Sequence, residues 1–132
     1  MDGKRAGRLL LVEDEHLLRG LIAQFLRGEG FEVIEAEDGL QGASFFSGRG
    51  PFDLVLLDMN MPRMSGLELL AEMCRLGIQT PVLMLTGNED NRTAADALAG
   101  GILAYIPKPF ELQHLELLVS LAASPRTTTA AA

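Results

Sequence analysis

Tryptophan is absent from the 132 residues, and tyrosine and cysteine occur once each, the latter at Cys74. A single cysteine cannot close an internal disulfide, so the fold rests on its core, and the usage fits a reducing compartment. Cationic residues are scarce: 11 Lys and Arg stand against 18 Asp and Glu, a net charge of −7. Such a balance repels phosphate backbones and argues against nucleic acid as a direct partner. It also weakens the case for an anionic membrane surface. No apolar run approaches the roughly 18–20 residues of a membrane helix. The opening MDGKRAG has charges but no apolar h-region, so no signal peptide is expected. These absences point to a cytoplasmic domain. Histidine is also rare. His16 and His114 lack a second histidine at ligand spacing, which disfavours a histidine metal centre.

The chain is 48% hydrophobic, and its length suits one domain with a real core. LLLV (9–12), LVLL (54–57), VLML (82–85) and ILAYI (102–106) are short apolar runs, and FEVIEA (31–36) alternates. Between them lie helical spacings. Leu17, Leu18, Leu21, Ile22, Phe25 and Leu26 form the first, with Gly28 and Gly30 as stops. Asp38 and Gln41 suit the N-cap and N3 of a short second helix ending near Gly48. Ser65 and Glu68 make a capping box before a third, with Leu67, Leu70, Met73 and Cys74 on one side. Residues 88–99 read as a weak fourth helix, and 111–122 as an amphipathic last one. Phe45, Phe46 and Cys74 are expected to pack in the core.

Five strands thus alternate with five helices. Continuous apolar strands belong to parallel sheets covered on both faces, and the crossovers are long enough for right-handed βαβ units. The expected fold is a doubly wound α/β domain, a five-stranded parallel sheet in the flavodoxin-like order 2-1-3-4-5 with helices on both faces. The domain should span residues 8–123. Residues 1–7 and 124–132 read as flexible tails, the second also as the start of a linker.

In such a sheet, ligands bind beyond the carboxyl ends of the strands. The first strand ends on Glu13 and Asp14, the third on Asp58, the fourth on Thr86, and the fifth is followed by Lys108. Topology therefore gathers three acids, a hydroxyl and a lysine at one edge. Lys108 is one of two lysines beside nine arginines. At roughly 5 Å and an effective dielectric of about 20, each carboxylate pair costs about 3 kcal/mol. A hard divalent cation offsets this best, and Mg²⁺ accepts carboxylate oxygens while keeping waters and phosphate oxygens. That chemistry suits phosphoryl transfer, with a carboxylate as nucleophile forming an acyl phosphate. Asp14 alone would also suit a helix N-cap.

VEDE at the first strand end, LVLLDMNMPRMSG (54–66), LMLTG (83–87) and the Lys-Pro-Phe of YIPKPF (105–110) together resemble the receiver domain of two-component response regulators, over nearly the whole chain. The resemblance implies Asp58 as phosphoacceptor, with Asp14 on Mg²⁺ directly and Glu13 through water. The backbone carbonyl of Asn60 would be the third protein ligand, and Mn²⁺ a substitute metal. Thr86 and Lys108 would bind the phosphoryl group, Tyr105 would be the aromatic switch, and the Lys108–Pro109 bond would be cis. The implied donor is a sensor histidine kinase or a phosphotransfer protein. The implied readers are a downstream effector domain or protein, and a homodimer formed through the face made by the 88–99 helix, the fifth strand and the last helix. Leu112, Leu115 and Leu118 lie near that face.

The implied role is regulatory, not that of an enzyme acting on outside substrates. An aspartate-nucleophile phosphatase would want a second aspartate two residues on, where this chain has Asn60. Two features depart from the family pattern. Pro107 precedes Lys108, and GGILAY (100–105) lacks acids before the tyrosine.

Overall fold

The computed structural model describes residues 7–59, 61, 64–86 and 102–123, with Thr86 through its backbone alone. The expected helix at 88–99 and both expected tails lie outside the described residues, except for Gly7. The elements run β1 (Arg8–Val12), α1 (His16–Gly28), β2 (Glu32–Ala36), α2 (Gly39–Gly48), β3 (Leu54–Asp58), α3 (Gly66–Arg75), β4 (Val82–Thr86), β5 (Ile102–Pro107) and a last helix, α4 (Leu112–Ala123). The strands form one parallel sheet in the order β2-β1-β3-β4-β5. Both match the expectation.

Strand alternation explains the two cores. Leu9, Leu11, Leu54, Leu56, Leu83 and Leu85 face α1 and α4, meeting Ile22, Leu26, Leu115 and Val119. Leu10, Val12, Val55, Leu57, Val82 and Met84 face the other way, onto α2 and α3, with Leu69, Leu70 and Met73. Burial on both faces is why β1 and β3 read as unbroken apolar runs. Among the described residues, no helix is long and apolar enough to cross a membrane.

The helix starts follow local chemistry. Asp38 caps α2, its side chain accepting from the Gln41 N–H at 2.9 Å. The return bond, however, runs from the Glu37 N–H to the Gln41 side chain at 2.7 Å. Ser65 and Glu68 form the full reciprocal box at α3.

Three packing expectations need correction. Leu17 and Leu21 are 80% and 53% exposed, because the apolar stripe of α1 is wider than its contact with the sheet. Ile22, Ala23 and Leu26 fill that contact. Cys74 is exposed. The inward face of α3 is Gly66, Leu69, Leu70 and Met73, and the residue after Met73 turns about 100° away from it. Phe45 and Phe46 are only partly buried, at the margin of the second core. There Phe46 meets buried Phe52 edge-on, with ring centroids 5.9 Å apart.

Candidate functional site

Each strand delivers its terminal residue to the same edge. The backbone of β3 continues through Asp58, which stands opposite Leu85 in register. The chain then turns sharply, with the Met59 N–H donating to the Leu85 carbonyl and the Gly66 N–H to the Met59 carbonyl. A Cβ on Gly66 would lie 2.3 Å from the Asp58 carbonyl oxygen, so only glycine lets α3 begin so close to Asp58. Gly39 plays a similar part, where a Cβ would meet the Met64 carbonyl oxygen at 2.3 Å. From sequence Gly66 reads only as a turn residue and Gly39 not at all, because their use is a close approach across the fold.

Oxygens of Glu13, Asp14 and Asp58 lie within 4.8 Å of one another. Glu13 and Asp58 are buried, at 1% and 2% exposure, and Asp14 is exposed. Asp14 does not cap α1. The N-cap residue is Glu15, with no side-chain cap, and the Glu13 carboxylate accepts the Glu15 N–H at 3.1 Å. Lys108 closes the cluster. Its Nζ lies 3.1 Å from Asp58 Oδ1 and 3.4 Å from Glu13 Oε1. Pro107 therefore leaves the lysine within reach of the acids, and the Lys108–Pro109 peptide is cis. An open hollow of about 360 Å³, lined by Leu18, Lys108, Pro109 and Phe110, adjoins it.

Like charges this close perturb one another. Burial, then the Asp58 carboxylate, push the Glu13 carboxyl up to about 7, against the opposing pull of the Glu15 N–H and Lys108. Burial works against the Lys108 ammonium, but Asp58 and Glu13 more than reverse this and raise its pKa. The arrangement suits a small hard cation. It offers carboxylate oxygens only, from two buried residues and one open to solvent that leaves room for retained waters.

Not every expected member is in view. Thr86 ends β4 opposite Pro107, on the correct edge. Tyr105 stands on β5 opposite Met84, half-buried against the second core. Asn60 lies outside the described residues.

Comparison with known proteins decides the family. The chain matches the family model described as response regulator receiver domain over residues 9–120. It belongs to that family. Receiver domains are the phosphoacceptor modules of two-component signalling, and this chain is one. This receiver domain is 36% identical over 115 residues to regulatory protein AtoC of Escherichia coli, covering 87% of this chain and 25% of AtoC. It is 36% identical over 118 residues to transcriptional regulatory protein PdtaR of Mycobacterium tuberculosis, covering 89% and 57%. The chain thus spans between a quarter and little more than half of those relatives. Among solved structures, response regulator TrrA of Thermotoga maritima in complex with Mg(2+)-BeF superposes with a TM-score of 0.74 at 33% identity, covering 87% of this chain and 97% of that one. The receiver domain of the hybrid histidine kinase CckA gives 0.74 at 31%, covering 89% and 100%.

Proposed function

We propose that this receiver domain accepts a phosphoryl group on Asp58 from the phosphohistidine of a sensor histidine kinase or phosphotransfer protein. The observation that carries the reading is the buried Asp58 carboxylate at the end of β3, with the Lys108 ammonium at 3.1 Å and two further acids beside it. An Asp58 oxygen attacks phosphorus. The phosphorus–nitrogen bond breaks, and its electron pair leaves on the imidazole. The product is an acyl phosphate, later hydrolysed by water. Lys108 meets a phosphoryl oxygen as a point charge, and the Thr86 hydroxyl donates to another. Glu13, Asp14, Asp58 and the Asn60 carbonyl are the residues that would hold Mg²⁺, or Mn²⁺ in its place. When bound, the metal spreads the negative charge of the phosphoryl oxygens. These reactions are the domain's own phosphorylation and dephosphorylation. It works in the cytoplasm on no outside substrate.

The output is a changed surface. Thr86 turns toward the phosphoryl group, Tyr105 moves into the room it leaves, and the face built on residues 88–99, β5 and α4 is read by an effector domain, an effector protein or a second copy. Residues 8–123 are the receiver unit.

Mass measurement after incubation with Mg²⁺ and acetyl phosphate tests the first step. One phosphoryl adduct is expected, and none in Asp58→Asn; an equal adduct in that variant would move the acceptor elsewhere. For the output, Thr86→Ala should take phosphate yet show a much smaller change in amide exchange around Tyr105 than the parent does. Matching exchange responses would sink the Thr86–Tyr105 coupling.

A further inference from the structure

Arg19 lies on α1, five residues after Asp14, and its side chain is only 12% exposed. Among the described residues it forms no ion pair with the three carboxylates of the cluster. Instead its Nη1 donates to the backbone carbonyl of Glu13 at 2.9 Å. Its Nε donates to Glu35 Oε1 on β2 at 3.3 Å. Its Nη2 meets His16 Nδ1 at 3.1 Å. Glu35 is itself held by Arg27 Nη1 at 3.1 Å, and Arg27 donates from Nη2 to the Val33 carbonyl at 2.6 Å.

The carbonyl that Arg19 grips belongs to the peptide joining Glu13 to Asp14. On the other side, the Glu13 N–H donates to the Ala36 carbonyl at 3.1 Å, so this stretch is tied to β2 twice, once directly and once through Arg19 and Glu35. The N-terminus of α1 receives no side-chain cap from its own N-cap residue. The Glu13 carboxylate accepts the Glu15 N–H instead, and the ties to Ala36 and Arg19 add hold on the backbone of the turn that carries both acids.

We infer that Arg19 is a positioning residue for the divalent cation: anchored on Glu35, it holds the Glu13–Asp14 peptide so that both carboxylates face Asp58. The inference rests on the metal reading proposed above. Its sign is unusual. By charge alone a guanidinium beside the site opposes a cation, so removing it should tighten Mg²⁺. By position, removing it loosens two ligands and should weaken Mg²⁺. Lysine separates the two effects further, since a single ammonium keeps the charge but cannot span the Glu13 carbonyl and Glu35 as a planar guanidinium does.

The test is a calorimetric titration of Mg²⁺ into the full chain and into Arg19→Ala, Arg19→Lys and Glu35→Gln, with thermal melts to confirm folding. Partners that orient a metal ligand are typically worth about tenfold or more in affinity. About tenfold weaker binding is therefore expected for both Arg19 variants, with a smaller loss for Glu35→Gln. Phosphorylation by acetyl phosphate should return to the parent's extent at saturating Mg²⁺, because Asp58 and Lys108 are untouched. Unchanged or tighter binding in a folded Arg19→Ala would overturn the inference, as would parent-like binding in Arg19→Lys. Should Arg19→Ala not fold, Arg19→Lys decides, and parent-like affinity there refutes the role. A parent chain that binds no Mg²⁺ refutes the metal reading itself, and this inference with it.

Discussion

The two ends of the sheet are built from similar residues to opposite effect. At the amino end of β1, charges of opposite sign are paired. The Arg8 N–H donates to Asp53 at 2.7 Å, and its guanidinium binds Glu32 at 3.1 Å. The same guanidinium donates to the Arg49 and Pro51 carbonyls and lies 5.0 Å from the Phe52 ring centroid. At the carboxyl end, three acids crowd one another and, among the described residues, Lys108 answers two of them. Five parallel strands, the central ones buried on both faces, join the two ends. Opposite charges satisfy one another at the first end, whereas at the second the clustered carboxylates repel. Functional edges in α/β sheets have this cost because the groups that bind a ligand are destabilising until it arrives.

The sharpest way to break this contrast is pH. The Glu13 carboxyl is raised in the folded state from 4.5 to about 7. Between those values the folded chain holds a proton that the unfolded chain has lost. That contribution to stability is fully present below pH 4.5 and disappears as pH rises through 7. The loss is on the order of 3 kcal/mol for a shift of this size. Urea melts of the metal-free chain should show the decline, and Glu13→Gln should lack most of it; parallel pH profiles would mean that the acids do not crowd.

At the paired end the sign reverses. Arg8→Ala removes an ion pair, two bonds to carbonyls and a cation–ring contact. It should destabilise by about 2 kcal/mol, with no change in Mg²⁺ affinity. A loss of affinity there would show that the two ends are coupled through β1.

Asp58→Asn should stabilise the metal-free chain at pH 7.5 by about 1 kcal/mol. Relief of repulsion and of charge burial outweighs the lost contact with Lys108, whose side chain is 29% exposed. Added Mg²⁺ should stabilise the parent more than the variant. A lower midpoint for the variant in chelator would mean that the Lys108 pair dominates.

Changes at exposed helix positions should be the smallest. Leu17→Gln and Cys74→Ser lie on exposed helix surface and should shift stability by no more than about 0.5 kcal/mol. A larger loss at Leu17 in urea melts would show that its side chain is covered in solution.

Much of this protein was legible in one dimension. Unbroken apolar runs mean strands buried on both faces, and intervening helical spacings mean parallel order. The residue that follows each run must then arrive at one edge. That logic led from the sequence alone to the sheet order and to the grouping of Glu13, Asp14, Asp58 and Lys108. Capping at Asp38 and Ser65 was readable because it is local. What the sequence could not decide depends on rotation and approach across the fold. The phase of α3, which buries Leu69 and exposes Cys74, is set by how closely Gly66 meets Asp58. The exposure of Leu17 and Leu21 follows from how much of α1 the sheet can cover. In β5, Leu103 is 51% exposed at a register shift opposite Val82 and Leu83, and that extra residue depends on pairing with another strand. Leu112, Leu115 and Leu118 divide likewise. Leu115 is buried and the other two partly so, while Leu117 and Leu121 are the leucines of α4 that reach solvent. Arg19 shows the limit most plainly. Nothing in its neighbours in sequence marks it out. Only the packing of α1 beside β2 brings Glu35 to its guanidinium, because a hydrogen bond between separate elements exists only once the backbone has fixed both ends.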